Sequence, residues 1–264
     1  MVDRPWPTVG RPVVLVPLGS TEQHGPHLPL DTDVVVASVV CDALVLRAQA
    51  TRPNGTERDA DAGGGVDLVV APAIAYGASG EHQEFTGTIS IGTEALTLLL
   101  VEYGRSACTW AQRVVFVNGH GGNVDALATA VPLLIGEGRP VAWLPCVPAT
   151  RPSAAAEATS VPDALFVDAH AGRSETAIML AHSADRVHAN RLEPGNTAPI
   201  SQLLAELRDG GTRRVAPNGV LGDPRGATAV EGAALLDAIV TGAWSRLRSG
   251  RVDERGCLIE PADA

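Results

Sequence analysis

Residues 13–33 read VVLVPLGSTEQHGPHLPLDTD. Residues 12–18 (PVVLVPL) form a short apolar run rich in β-branched Val and bounded by Pro and Gly, which is the pattern of a buried strand. The next stretch is quite different: Glu22, His24, His27, Asp31 and Asp33, interrupted by Gly25, Pro26 and Pro29. From Asp33 to about Ala50 the chain is apolar again. That run is too long for one strand, so the reading is a helix with Asp33 near its N-cap. A strand, a loop of titratable side chains and a helix in succession are the building unit of an α/β fold.

The unit recurs along the chain. A second strand is predicted at 66–74 (VDLVVAPAI), followed by the loop GASGEHQEFTGTIS and a helix over 93–112 with Thr93 as cap and Glu94 in its first turn. A third strand, VVFVN at 114–118, runs into GHGGN and a helix beginning near Asn123. A fourth strand fits 140–146, and helices fit 173–182 and 229–248. Residues 51–65 are polar and glycine-rich and read as a surface loop, and the tail 251–264 reads as loosely held. Strand–helix alternation at this spacing predicts one domain over 1–264 with a mostly parallel sheet and helices on both faces. Ligands in such sheets bind beyond the carboxyl ends of the strands. Three polar loops, each directly after a predicted strand, should therefore meet at one edge.

Composition narrows the function. All 20 basic residues are arginine, and the net charge is −10, which argues against a nucleic-acid partner because phosphate contacts need a basic surface. No apolar run approaches the roughly 18 residues of a membrane span. Cys41, Cys108, Cys146 and Cys257 are scattered without a C-x-x-C pair, and the N-terminal MVDRPWPTVGRP lacks a charged-then-apolar signal pattern, so a reduced, cytoplasmic protein is expected.

The titratable residues carry the chemistry. In an extended segment Glu22 and His24, two apart, point to the same side, and an Asp at the start of the next helix can return to them. Mixed oxygen and nitrogen donors suit Zn, Mn or Fe. His27 and Asp31 are candidates for positioning those ligands. His120 lies between glycines that let a metal approach the backbone, with Asn118 and Asn123 placed to fix the turn. His170 and Glu175, in DAHAGRSETA, either reach one cavity or leave the Glu in a capping box with Ser174 or Asp168 as cap. His82 and Glu84 either orient substrate or ligands or belong to a plain loop. Asp223, Arg225 and Thr228 fit a turn, an oligomer contact or a pocket wall, and Arg173 and Arg225 are candidates for clamping a substrate carboxylate through their bidentate guanidinium groups. His182 and His188 read as structural.

The ordered set GSTEQHGPHLPLDTD, GEHQEFTGTIS, NGHGGN, HAGRSETA and GDPRGAT resembles the creatininase family of metal-dependent amidohydrolases, over roughly residues 13–245. The resemblance implies a three-layer α-β-α sandwich and two divalent ions per subunit (Zn, Fe or Mn), bridged by an Asp and a water. Glu22, Asp33 and His120 would hold one ion; His24 and Asp33 would hold the other, with one more carboxylate. Creatininase itself has a Glu two residues after the histidine of this turn, where this chain has Gly122, and Glu175 is the expected substitute. Creatininase also uses tryptophans in a loop before the HA motif, and residues 147–169 contain none. Both departures disfavour creatinine as substrate. The resemblance further implies activation of water and of the amide carbonyl by the ions, with His170 passing a proton to the leaving nitrogen.

Among members of that family the chain looks most like one that removes the C-terminal dipeptide from a modified ribosomal precursor peptide, and this resemblance implies a peptidase. Two alternatives are a small-molecule amidohydrolase (a creatinine-type ring opener or a formamide deformylase) and a non-catalytic metal-binding scaffold. A homo-oligomer is expected from the family likeness, with contacts through the Gly- and Pro-rich segments around 191–226.

Overall fold

In the structure, a computed structural model, residues 1–51, 67–148 and 168–262 are described. Four strands form one parallel sheet in the order β2-β1-β3-β4: β1 Val13–Leu18, β2 Leu68–Val70, β3 Arg113–Asn118 and β4 Val141–Pro145. β1 is central, with Val13–Leu18 matched to Arg113–Asn118 on one side and Val13–Leu15 matched to Leu68–Val70 on the other. Pro17 lies beyond the end of β2, so its missing N–H leaves no gap in that ladder. The helices are α1 Thr32–Ala50, α2 Gly92–Ala107, α3 Val124–Gly136, α4 Arg173–His182, α5 Ile200–Val215 and α6 Ala229–Ser249.

Two cores sit on opposite faces of this sheet, as the side-chain period of two requires. Val13 and Leu15 join Val36, Val40 and Leu44 of α1 and Leu235 and Ile239 of α6. Val14, Val16 and Leu18 join Leu96 and Leu100 of α2 and Leu127, Val131 and Leu134 of α3. In α1 the buried apolar residues Val36, Val40, Leu44 and Ala48 recur every four positions, which lays one stripe of the helix on the sheet. Each such fully buried Leu or Val contributes roughly 1.5–3 kcal/mol. The α/β class with helices on both faces is as the sequence predicts.

The N-cap of α1 is Asp31, and Asp33, expected near the cap, sits in the first helical turn with its carboxylate turned elsewhere. One expectation needs correction. The tail from Arg251 is not loose: the Trp143 N–H donates to Gly256 at 3.0 Å, the Leu258 N–H donates to Trp143 at 2.8 Å, and Leu258 is buried beside β4. The edge strand β4 needed a partner, and the returning tail supplies it. The segment around 191–226, for which no element is predicted, carries α5, which bends at Gly211. The surface loop expected at 51–65 and most of the tryptophan-free stretch before the HA motif lie outside the described residues.

Candidate metal centre

The three polar loops meet at the carboxyl edge of the sheet. One side chain ties them together: the Asn123 amide nitrogen donates to the Gly19 carbonyl at 3.0 Å and to Asn118 Oδ1 at 3.2 Å, and its oxygen accepts from the Ala78 N–H at 2.9 Å. Asn118 in turn donates to the His120 carbonyl at 2.7 Å. The start of α1 presses against these loops. A Cβ on Gly19 would lie 2.5 Å from the Val34 nitrogen, and one on Gly119 would lie 2.5 Å from the Asp33 carbonyl oxygen. Glycine at both positions is what lets the first turn of α1 push Asp33 into the edge.

Around Asp33 the side chains converge. His24 Nε2 is 3.1 Å from Asp33 Oδ1 and 3.9 Å from Glu175 Oε2. His120 Nδ1 is 3.3 Å from Asp33 Oδ2, and His120 Nε2 is 3.3 Å from Glu22 Oε2. His82 Nε2 and His170 Nδ1 face Glu22 Oε1 at 3.4 and 3.6 Å. Three groups each bring one donor atom per residue within 4.8 Å of one another: Glu22, Asp33 and His120; His24, Asp33 and Glu175; and Glu22, His24 and His170. Both oxygens of Glu22 and Oδ2 of Asp33 are buried without a hydrogen-bond partner. A buried carboxylate oxygen left unsatisfied costs about 1–3 kcal/mol or more. Oxygen and imidazole donors together, with orphaned anionic oxygens between them, fit a divalent ion of the Zn, Mn or Fe type.

The imidazoles are oriented for this. The Glu22 carbonyl accepts from His24 Nδ1–H at 3.1 Å, leaving Nε2 to face the carboxylates. The Gln23 carbonyl lies 2.7 Å from His170 Nε2, which leaves His170 Nδ1 as the lone pair aimed at the centre. The charges are mutually dependent. Burial, opposed by His120, pushes the Glu22 carboxyl up to about 8. Burial works against a charge on His24 and on His120, but Asp33 on the first and Glu22 with Asp33 on the second more than reverse this and raise both to about 10. Asp33, despite burial, is held well below the carboxylate range by His24 and His120. Burial, then His120 and His24, lowers His82 to about 3, and burial holds His170 well below its ordinary value.

A cavity of about 1150 Å³ opens above this edge, with Asp33, His82, His120, His170 and Glu175 in its floor. Its far wall is α5, through Ile200, Leu204, Leu207 and Arg208. Sequence reading overlooked that wall, although Ile200, Leu203, Leu204 and Leu207 follow helical spacing after a Pro. Arg208 is the guanidinium of the described lining, and among the described residues it has no ion pair or hydrogen bond. The clamps expected from sequence are elsewhere. Arg173 is paired with Glu231 at 2.5 Å and Arg225 with Asp223 at 2.7 Å, and neither lines the cavity. Each is neutralised by a carboxylate, Glu231 from far along the chain and Asp223 from the same turn. Asp31 is also a surface partner, of Arg186 at 2.5 Å. His27 is buried behind the centre, its Nε2 2.9 Å from the Thr176 hydroxyl, where it supports rather than faces the donors. Glu84 lines the cavity, and its carbonyl accepts from Arg213 at 2.9 Å. At the start of α4, Asp168 accepts from the Ser174 N–H at 2.8 Å, while Glu175 accepts from the Ala171 N–H at 2.6 Å and turns toward His24.

Comparison with known proteins agrees with this architecture. The family model described as creatinine amidohydrolase matches residues 6–247, and the chain belongs to the creatininase family. Within it, the chain is 51% identical over 247 residues to the mycofactocin precursor peptide peptidase of Mycolicibacterium smegmatis, covering 94% of this chain and 89% of that one. Among solved structures, a mutant creatininase of Zn-Zn type superposes with a TM-score of 0.69 at 22% identity, covering 94% of this chain and 96% of the other. A manganese form of creatininase superposes at 0.67 with 23% identity, covering 94% and 97%.

Proposed function

We propose that this chain is a metal-dependent peptidase that removes the C-terminal dipeptide from a mycofactocin precursor peptide. That it hydrolyses amide bonds follows from its family and its 51% identical relatives. The observation that carries the metal reading is the set of orphaned buried oxygens of Glu22 and Asp33 facing imidazoles at the floor of a wide cavity. In this reading Glu22, Asp33 and His120 hold one ion, and His24, Asp33 and Glu175 hold a second. When bound, such ions lower the pKa of water and polarise an amide carbonyl.

The rest falls to the chain's own groups. Burial, then His24 and His82, keeps His170 neutral, so its Nδ1 starts as a proton acceptor beside Glu22 and can return the proton to the departing amine. Gln23 fixes that ring through its carbonyl, and its side-chain amide lies 2.8 Å from His82 Nδ1. His82, packed 4.3 Å from the His170 ring, closes the floor on that side. Arg208 and the apolar side chains of α5 suit the carboxylate and side chains of a peptide's C-terminal end. We place the protein in the cytoplasm, working as one domain and as a homo-oligomer. The test is incubation of metal-analysed protein with the precursor peptide and mass measurement: loss of a C-terminal dipeptide is expected, whereas release of formate or creatine from small amides, with the peptide intact, would replace this reading with the small-molecule one.

A further inference from the structure

We infer that Glu81 is an additional carboxylate ligand of the ion held by Glu22, Asp33 and His120. The inference rests on the metal-centre reading above. Glu81 lies in the short 3-10 turn Gly80–His82, on the cavity wall. Its Oε1 is 3.7 Å from His120 Nε2 and 3.9 Å from His82 Nε2, the two nitrogens that also face the Glu22 carboxylate. Among the described residues these imidazoles are its only charge partners, and no arginine neutralises it.

The backbone opposite explains why the carboxylate comes from this turn. A Cβ on Gly122 would lie 2.5 Å from His120 Nε2, 2.9 Å from Glu81 Oε1 and 2.2 Å from the Ala78 carbonyl oxygen. Position 122 therefore has no room for a side chain, and the Glu81 carboxylate already occupies the space such a side chain would enter. Glu175 does not fill that space: its approach is to His24 and the Ala171 N–H, beside the other ion's donors. The turn is held in place. Ser79, just before it, hydrogen-bonds Ser20 through the two hydroxyls at 2.8 Å, and its N–H donates to the Ser90 hydroxyl at 3.0 Å. The Ala78 N–H is fixed by Asn123, and Gly211 of α5 packs on the Glu81 carbonyl. A carboxylate on so anchored a turn is preorganised toward the ion rather than recruited from solvent.

The experiment measures metal rather than turnover. Wild type and Glu81→Gln are loaded, dialysed and assayed for ions per chain and for affinity by chelator competition. Glu81→Gln is expected to weaken one of two equivalents about 10–100-fold, the scale of losing a group that tunes a metal site, and to alter the absorption of the cobalt-substituted protein. Glu81→Asp, which keeps the charge but withdraws it by one methylene, is expected to weaken the same equivalent less, and it carries the test should the Gln variant not fold. Glu137→Gln, on the surface and paired with Arg105, serves as the unaffected control. Two equivalents bound with wild-type affinity by both Glu81 variants overturn the assignment of Glu81 alone. A wild-type chain that takes up no divalent ion overturns the metal centre itself.

Discussion

Two clusters of charge in this protein are built in opposite ways. On the surface, Arg105 reaches Glu137 at 2.5 Å and Glu102 at 2.6 Å, and Arg139 holds Glu137 at 2.9 Å, so every carboxylate there has a guanidinium partner. At the sheet edge, Glu22 and Asp33 are buried, and three of their oxygens have no hydrogen-bond partner. The exposed cluster is satisfied and contributes little, because water screens it. The buried cluster is unsatisfied and would destabilise the fold if it stood alone. A domain retains such an arrangement where a ligand completes it, so the difference separates surface decoration from function more sharply than residue type does.

The largest expected effect lies in the buried cluster. Asp33→Asn removes the one carboxylate shared by both donor sets; metal analysis should show loss of both ions, and turnover should fall by about 10²–10³-fold or more. Two ions retained at full affinity would end the contrast between the clusters. His170→Gln should lower turnover by about 10²–10⁴-fold while leaving metal content intact, and lost metal would instead make His170 a ligand. Arg208→Ala should raise KM for the peptide roughly tenfold or more with kcat little changed, in keeping with one charge-assisted hydrogen bond; an unchanged KM would remove Arg208 from substrate recognition.

Proton linkage sharpens the comparison further. His24 and His120 keep their protons to about 10, against an ordinary 6.5. Between pH 6.5 and 10 the folded metal-free chain therefore binds more protons than the unfolded one, and its stability falls as pH rises through that window. Glu22, raised to about 8, acts in the same direction over its lower part. Because ions displace these protons, the gap in melting temperature between metal-loaded and chelator-treated protein should widen from pH 6.5 to pH 9. A gap that shrinks would contradict the proton–metal exchange. The smallest effect belongs to the surface: Glu137→Gln should leave activity and metal content unchanged and barely move the melting temperature.

Much of this protein was legible locally. β1, β3, the helix over 173–182 and the three loop motifs were readable because each depends on neighbours in sequence: β-branched runs, glycine turns and four-residue spacing. Glu22, His24 and His120 could be singled out as titratable residues in loops after strand ends, and Asp33, His170 and Glu175 as titratable residues at or just before helix starts. Other features needed the fold. Asp33 is readable as a helix-start residue and a candidate donor, but only the close approach at Gly19 and Gly119 turns it inward. Arg173 looked free because its neutralising partner, Glu231, is chosen by packing, whereas Arg225 pairs with Asp223 two residues earlier in the same turn. The wall formed by α5 and the position of Glu81 against Gly122 are contacts between segments far apart in the chain.

The sequence alone determined the alternation of strands and helices apart from α5, the dry two-faced sheet and the kinds of donor at its edge, since these follow from side-chain chemistry and short-range periodicity. Tertiary structure decided which carboxylates stay unpaired, which arginine faces the cavity and which backbone atoms leave no room for a side chain. Those outcomes depend on distances of a few ångströms between remote loops, and pairing and burial exist only once the loops have met.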